Sequence, residues 1–333
     1  MKIDIFTHVM LPRYKEEFYK YSHKFATERA VQDKRPVLWD NEMRLSKLEP
    51  YDDMVQVLTA TMPPVEEIVT DPKAAEELAR LGNDEMAELV AKYPQRYIAA
   101  VANVPLNNID IAMKESQRAI KELGFKGIQI HTRVNGKPPS TGEMLPLFEF
   151  MVENDLPIWL HPMRSSSQPD WASENVSYNQ LFSIIGWPYD TTAAMLRLVF
   201  AGIFEKFPTI KIITHHLGGM VPYFSDRIVV HYNNGLQRLG ADHFPGLTKH
   251  PIEYLRMFYA DTALDGNSNH ALECGLAFFG VDHVLFGTDM PYDVENGGGS
   301  IRETVRAIDG MKLSDSTRAK IYEGNARRLL HLS

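Results

Sequence analysis

The stretch M-K-I-D-I-F-T-H (1–8) places a short apolar run directly before a histidine. Its β-branched and aromatic residues predict a buried strand. Seven similar runs follow: V-Q-V-L-T-A-T (55–61), Y-I-A-A-V-A-N (97–103), G-I-Q-I-H (127–131), P-I-W-L-H (157–161), I-K-I-I-T-H (210–215), M-F-Y-A-D (257–261) and H-V-L-F-G-T-D (283–289). Helical patterns separate them; one begins at Asp71, with Pro72 suited to a first helical turn. Near-continuous apolar strands that alternate with helices predict an α/β fold, a (β/α)8 TIM barrel.

The length of 333 residues suits one such barrel, because this fold commonly exceeds 200 residues. We therefore expect a single domain over residues 1–333. A long segment between the first two strands, residues 11–53, is rich in aromatic and charged residues. We expect this insertion to form a lid or small cap beside the pocket.

The charge balance limits the partners of the protein. Lys and Arg number 35 and Asp and Glu number 43, so the formal net charge is −8. Nucleic acids and anionic membranes require a basic face, so we expect neither as a partner. The sequence lacks an apolar run of membrane-spanning length and a signal-peptide pattern. Cys274 is the single cysteine, and a protein without an intramolecular disulfide suits a reducing cytoplasm. The surrounding L-E-C-G-L predicts that this thiol packs on a helix.

Histidines and an aspartate follow the predicted strands at the end where barrel active sites form. They are His8, His131, His161, His215, His216 and Asp289. Neutral imidazole and carboxylate are the ligands that a borderline-soft divalent cation takes, and rigid strand ends hold such ligands in place. The pattern predicts a metal centre at this rim, although a purely structural role stays open for His131 and His215.

Several motifs, in order, resemble the α-amino-β-carboxymuconate-ε-semialdehyde decarboxylase group of the amidohydrolase superfamily. They are M-K-I-D-I-F-T-H (1–8), W-D-N-E-M-R (39–44), E-L-G-F-K-G-I-Q-I (122–130), W-L-H-P (159–162), G-I-F-E-K-F-P-T-I-K-I-I-T-H-H-L-G-G (202–219), F-G-T-D-M-P-Y (286–292) and G-N-A-R-R-L-L (324–330). The resemblance covers nearly the whole chain. It implies a TIM barrel, a divalent metal that is zinc or alternatively manganese, and a homodimer or higher homo-oligomer.

The resemblance also implies roles for individual residues. The metal histidine of strand five falls on His161 and the metal aspartate of strand eight on Asp289. As a separate hypothesis from the chemistry of the site, we expect Asp289 also to shuttle a proton. The catalytic histidine falls on His216, which is also free to swing onto the metal. The first-strand histidine pair of the family falls on Phe6 and His8, so only His8 binds the metal there. Two imidazoles and a carboxylate suffice for a catalytic zinc.

His215 lies one residue before the histidine that matches the catalytic position. Side chains alternate between the two faces of a strand. We therefore expect His215 to point away from the pocket, towards the surrounding helices.

A carboxylated substrate requires cationic partners, and arginine pairs with carboxylates in a bidentate manner. Arg35, Arg133 and Arg164 are the candidates, and Phe6 and His131 complete the expected substrate contacts. Aromatic residues are expected to wall the pocket: Trp39, Trp171, Trp187 and Tyr292.

The sequence leaves three functions open. The favoured one is a metal-dependent, non-oxidative decarboxylase of an unsaturated or aromatic carboxylic acid. The second is a metal-dependent lactone or amide hydrolase with the same residues, and the third is a non-catalytic barrel that binds a small molecule at a degenerate metal site.

Overall fold

The computed structural model of the protein describes residues 1–244, 246–266 and 268–332. Within these residues eight parallel strands pair in sequence order. They are β1 (Lys2–Val9), β2 (Met54–Ala60), β3 (Tyr97–Ala100, continued by Ala102–Asn103), β4 (Ile128–His131), β5 (Ile158–His161), β6 (Ile212–Thr214), β7 (Tyr259–Asp261) and β8 (Val284–Leu285). The two parts of β3 are continuous, because the Val101 amide between them donates to Leu58 of β2 at 2.9 Å.

Backbone hydrogen bonds between the first and last strands close the ring. The amide of Ile5 donates to the carbonyl of Phe286 at 3.0 Å, and the amide of His8 donates to the carbonyl of Met290 at 2.8 Å. A closed ring leaves no free sheet edge. The predicted (β/α)8 barrel is therefore confirmed.

Helices connect successive strands and pack outside the ring. They are α1 (Pro12–Tyr21), α2 (Ala26–Asp33), α3 (Asn41–Leu48), α4 (Val65–Ile68), α5 (Pro72–Lys92), α6 (Ile109–Lys121), α7 (Leu145–Glu153), α8 (Trp187–Phe200), α9 (Ile203–Lys206), α10 (Ser225–Leu239), α11 (Pro251–Leu255), α12 (Asn269–Phe279), α13 (Gly298–Gly310), α14 (Asp315–Ala319) and α15 (Asn325–Leu330). Short 3₁₀ or π turns lie at Ser22–Phe25, Pro36–Leu38, Gly142–Met144, Phe182–Gly186, His216–Gly218, Ala241–His243, Val281–His283 and Lys320–Gly324.

Two helices match the sequence predictions in detail. Helix α5 begins where expected, with Pro72 in its first turn and the Asp71 carboxylate accepting from the Ala74 amide at 2.8 Å. Cys274 lies half-buried on α12. Among the helices described, none has both the length and the apolar character needed to span a membrane.

Alternate residues of the strands fill the inside of the barrel. This interior cluster contains Ile3, Ile5, Phe6, Val55, Val57, Ala99, Val101, Trp159, Ile213 and Leu285, with Ala326, Leu329 and Leu330 from α15. The register of β1 against β2 is irregular between Asp4 and Thr7. Because of this irregularity the adjacent residues Ile5 and Phe6 both join the interior, and His8, two residues further, faces the same way.

Candidate active site

Three imidazoles and one carboxylate meet at the carboxyl ends of β1, β5, β6 and β8. The ligating nitrogens of His8, His161 and His215 lie within 4.8 Å of one another. One carboxylate oxygen of Asp289, Oδ1, lies 2.9 Å from His8 Nε2 and 3.4 Å from His215 Nε2. All four side chains are buried. We call these four residues the histidine–aspartate cluster.

Backbone carbonyls orient two of these imidazoles. The Nδ1 atom of His8 donates to the carbonyl of Ala60 at 3.1 Å, and Nδ1 of His161 donates to the carbonyl of Pro162 at 2.7 Å. A carbonyl only accepts, so each Nδ1 carries a proton, and Nε2 is the nitrogen that is left for a metal. Such outer partners fix the ring orientation of metal-binding histidines.

Unpartnered polar atoms show that the cluster fits a divalent metal ion. Within the described residues, His8 Nε2, His215 Nε2 and Asp289 Oδ1 have no hydrogen-bond partner although they are buried. Buried polar atoms that face one another without hydrogen-bond partners are costly unless a cation lies between them. Imidazole and carboxylate suit such a cation. The cluster is therefore a candidate metal centre.

His215 faces this centre, so the prediction that it points to the helices is wrong. It is fully buried, its ring stacks on Phe6 at 3.9 Å between centroids, and its Nδ1 atom donates to the carboxylate of Asp261. Ile213 belongs to the interior cluster. A residue two positions further along extended backbone faces the same side, and His215 keeps β backbone angles.

His216 reaches the site by a different route. The backbone turns after His215, because His216 and Leu217 both have φ of 52°. The carboxylate of Asp261 holds this turn by accepting from the Leu217 amide at 3.2 Å. The ring of His216 is parallel to the indole of Trp187, 6.1 Å between centroids, and its Nε2 lies 3.8 Å from Asp289 Oδ2. Two adjacent histidines therefore approach one carboxylate.

A cavity of about 560 Å³ opens beside the cluster. Among the expected site residues, His161, His216, Asp289, Arg35, Arg164, Trp187 and Tyr292 line it. The insertion contributes Thr27, Glu28, Val31, Gln32 and Arg35 to the wall. The insertion therefore stands beside the pocket, and its description as a lid stays a prediction.

Several expected pocket residues lie elsewhere. The guanidinium of Arg133 makes two hydrogen bonds to the Asp190 carboxylate, at 2.8 and 2.7 Å, and does not line the cavity. Trp171 is 59% exposed, and Trp39 lies 3.7 Å from the ammonium of Lys15. These placements correct the expectations for Arg133, Trp39 and Trp171. Arg133 is held by an ion pair, Trp39 packs against Lys15, and Trp171 is largely exposed to solvent.

Phe6 and His131 are buried behind the cavity wall. Neither is among the residues that line the cavity. His131 contacts the ring of His161 at 5.6 Å between centroids, and its Nδ1 lies 3.8 Å from the Glu66 carboxylate. Burial first, and then the neighbouring imidazole of His8, lowers the pKa of His131 to about 3. Phe6 and His131 therefore pack behind the histidine–aspartate cluster and do not form part of the cavity surface.

The buried ionisable groups of the site have strongly shifted pKa values. Burial and the neighbouring imidazoles, His215 first, hold the pKa of His161 well below its usual range. Burial alone would raise the pKa of Asp289, but the imidazole of His215 outweighs it and holds that pKa well below its usual range. Burial lowers the pKa of His215, but the carboxylates of Asp261 and Asp289 prevail and raise it to about 10. A proton and a metal therefore compete for His215 Nε2.

Two carboxylates of the site were missed from the sequence. Asp261 ends β7, so the rule that selected Asp289 at a strand end would also have selected it. Asp265 follows in the next loop and lines the cavity, and burial followed by the charge of Asp289 raises its pKa. No sequence pattern marks Asp265.

Comparison with known proteins assigns the chain to a family. The sequence profile described as amidohydrolase matches residues 3–332. The chain belongs to the amidohydrolase family. A 2-amino-3-carboxymuconate-6-semialdehyde decarboxylase from Dictyostelium discoideum is 28% identical to it over 349 residues, which cover 100% of this chain and 92% of that protein. The family predicted from the sequence motifs is confirmed.

Solved structures of amidohydrolase relatives share the fold. The 5-carboxyvanillate decarboxylase from Sphingomonas paucimobilis has a TM-score of 0.85 at 24% identity, covering 100% of this chain and 99% of that chain. A dihydroxybenzoic acid decarboxylase from Polaromonas sp., with bound manganese and the inhibitor 2-nitroresorcinol, has a TM-score of 0.81 at 26% identity. That alignment covers 99% of this chain and 97% of that chain.

Proposed function

We propose that this amidohydrolase is a metal-dependent, non-oxidative decarboxylase of an aromatic or otherwise unsaturated carboxylic acid. The observation that carries the proposal is the histidine–aspartate cluster at the base of a cavity whose wall holds a further histidine, His216. The relatives named above are decarboxylases, which agrees with the class of reaction favoured from the sequence.

His8, His161 and Asp289 would hold the metal. Zinc is the metal we propose, and manganese, which the Polaromonas relative binds, is the alternative. When bound, the divalent cation supplies positive charge that polarises a substrate oxygen beside the carbon that loses CO₂. A homodimer and a cytoplasmic location stay predictions from the sequence.

His216 is placed to move the proton of the reaction. The bond between the substrate carbon and its carboxylate breaks, CO₂ leaves, and the electron pair stays on the carbon. That carbon then takes a proton from Nε2 of His216, and the imidazole regains a proton from solvent before the next turnover. The Asp289 carboxylate, 3.8 Å from Nε2, stays ionised and orients the ring. The parallel indole of Trp187 keeps the ring facing the cavity.

Two arginines are placed to receive the substrate carboxylate. Arg35 and Arg164 line the cavity, and within the described residues the Nε atom of each is buried without a hydrogen-bond partner. Their other nitrogens are partly occupied, since Arg164 Nη2 donates to Asp170 at 2.7 Å and Arg35 Nη1 donates to the Val31 carbonyl at 2.7 Å. Trp187 and Tyr292 add aromatic surface for an unsaturated ring.

The test joins a metal assay to a substrate panel. Protein purified without chelator is assayed for Zn, Mn, Co and Fe and then incubated with carboxylated phenols, unsaturated carboxylic acids and lactones. We expect about one equivalent of metal per chain and release of CO₂ that chelator abolishes and metal restores. Lactone opening without CO₂ release would instead identify a hydrolase. Less than about a tenth of an equivalent, not restored by added metal, would identify a binding barrel.

A further inference from the structure

Phe6 takes the position of a metal ligand on the first strand, and the structure brings another imidazole to the same place. We propose that His215 binds the metal through Nε2 and replaces the ligand that Phe6 cannot provide. The inference rests on the proposed metal-dependent function. It gives this chain a ligand set of His8, His161, His215 and Asp289, with one ligand taken from β6 instead of β1.

The distances suit a shared metal. Bonds of about 2.0–2.2 Å from a metal to nitrogen and oxygen place neighbouring ligand atoms roughly 3.0–3.5 Å apart. His215 Nε2 lies 3.4 Å from Asp289 Oδ1, and His8 Nε2 lies 2.9 Å from the same oxygen. The ring of His215 is 4.9 Å from that of His161 between centroids. The ligand nitrogens of His8, His161 and His215 lie within 4.8 Å of one another, so these imidazoles and the Asp289 carboxylate face one common space for an ion.

Phe6 and His215 form a stacked pair at the first-strand position. Their rings are 3.9 Å apart between centroids and inclined by only 21°, and both are fully buried. Phe6 also contacts the rings of His8 and His161, at 5.5 and 5.8 Å between centroids. The phenyl ring therefore fills the space of a first-strand ligand, while the imidazole stacked on it presents a nitrogen to the same cluster.

Asp261 sets the direction of the His215 ring. Nδ1 of His215 donates to this carboxylate, and the same carboxylate accepts from the amides of Leu217 and Ala263 at 3.2 and 3.1 Å. A carboxylate that holds Nδ1 of an imidazole leaves Nε2 free for a metal, and it raises the basicity of that nitrogen. In the described residues His215 Nε2 has no hydrogen-bond partner.

His216 is the other candidate for the additional ligand. Its Nε2 lies 3.8 Å from Asp289 Oδ2, and its side chain lines the cavity, whereas His215 is enclosed behind the wall. A ligand without access to the cavity keeps its position while substrates exchange. Because only His216 of the two lines the cavity, His216 is available for proton transfer and His215 is the better placed metal ligand.

The test counts imidazoles on the metal and measures metal affinity, neither of which depends on turnover. X-ray absorption of the zinc-loaded wild-type protein should show three imidazoles, and His215→Gln should show two. Zinc affinity, measured by competition with a chromophoric chelator, should fall at least roughly 100-fold in His215→Gln and about 10-fold in Asp261→Asn. His243→Gln, at an exposed histidine, should match the wild type.

A double variant tests the exchange directly. Phe6→His combined with His215→Phe keeps one phenyl ring and one imidazole in the stacked pair, and should restore three imidazoles and zinc affinity to within about 10-fold of wild type. His216→Ala should retain three imidazoles.

Two imidazoles on wild-type zinc, or three that fall to two in His216→Ala, would overturn the inference while the proposed function stands. A wild-type protein that binds no divalent metal would overturn both.

Discussion

At the scale of single residues, two of the side chains proposed to act in the reaction lie on unfavourable backbone. His216 and Asp289 have φ of 52° and 59°, in the left-handed region that costs a residue with a β-carbon about 1–2 kcal/mol. The neighbouring structure holds both: Asp261 accepts from the Leu217 amide, and the Asp289 amide donates to the Phe6 carbonyl at 3.1 Å. Strain concentrated at cavity-lining residues is consistent with side chains aimed by the fold at a substrate.

The role of His216 gives the first prediction. His216→Ala should lower CO₂ release at least roughly 100-fold, because it removes the group that supplies the proton, while metal content stays within error of wild type. Turnover and metal content are measured on the same preparation, with His270→Ala as the control at an exposed histidine. Retained turnover in His216→Ala would refute its assigned role.

Which residues meet at the site was largely predictable, because parallel strands in a barrel end at one rim. His8, His161, His216 and Asp289 converge for this reason. The orientation of His215 was not predictable, since it depends on where extended backbone ends and the left-handed turn at His216 begins. The pairing of Arg133 with Asp190 on another element also leaves no trace in a single sequence.

At the scale of elements, the strands follow the apolar runs, but their ends do not. The run 283–289 predicts a strand throughout, whereas the regular ladder of β8 covers Val284–Leu285. Beyond Leu285 the backbone makes single hydrogen bonds to β1: the carbonyl of Met290 accepts from the His8 amide, and the amide of Asp289 donates to the Phe6 carbonyl. The insertion forms three helices and two 3₁₀ turns, at Ser22–Phe25 and Pro36–Leu38, a detail that its mixed composition did not reveal.

Helix α5 gives the second prediction. Asp71 caps its first turn by accepting from the Ala74 amide, and Asp71→Ala leaves that amide without its acceptor. The substitution should lower the free energy of unfolding by about 1 kcal/mol, measured by urea denaturation. Asp71→Asn, which retains a capping oxygen, should stay within a few tenths of a kcal/mol of wild type. Equal losses in both variants would contradict a capping role.

At the scale of the whole molecule, the barrel encloses acidic groups away from water. Burial raises the pKa of Asp4 to about 7, although hydrogen bonds from Thr288 oppose the rise, and burial raises the pKa of Glu66 to about 8. Glu66 lies on α4, and its two carboxylate oxygens have no hydrogen-bond partner within the described residues. Both acids are therefore favoured in the neutral form by the folded protein.

These raised pKa values set the direction in which stability depends on pH. The ordinary pKa of glutamate applies in the unfolded chain, so unfolding releases a proton from Glu66 at any pH between about 4.5 and 8. The unfolded state then binds fewer protons than the folded state. Stability from this group is therefore complete below the lower value and declines as the pH rises through that window.

Glu66→Gln should remove this dependence, because glutamine keeps the shape of the neutral acid and does not titrate. Near pH 5 the variant and wild type should have similar free energies of unfolding, and at pH 9 the variant should be more stable by on the order of a few kcal/mol. Urea denaturation at pH 5, 7 and 9 measures the difference at each pH, so effects shared by both proteins cancel. Glu77→Gln, at an exposed carboxylate on α5, is the control: its free energy of unfolding should change with pH in the same way as that of the wild type. If the Glu66→Gln difference is the same at all three pH values, Glu66 is ionised in the folded protein, and its two buried oxygens then require a cationic partner.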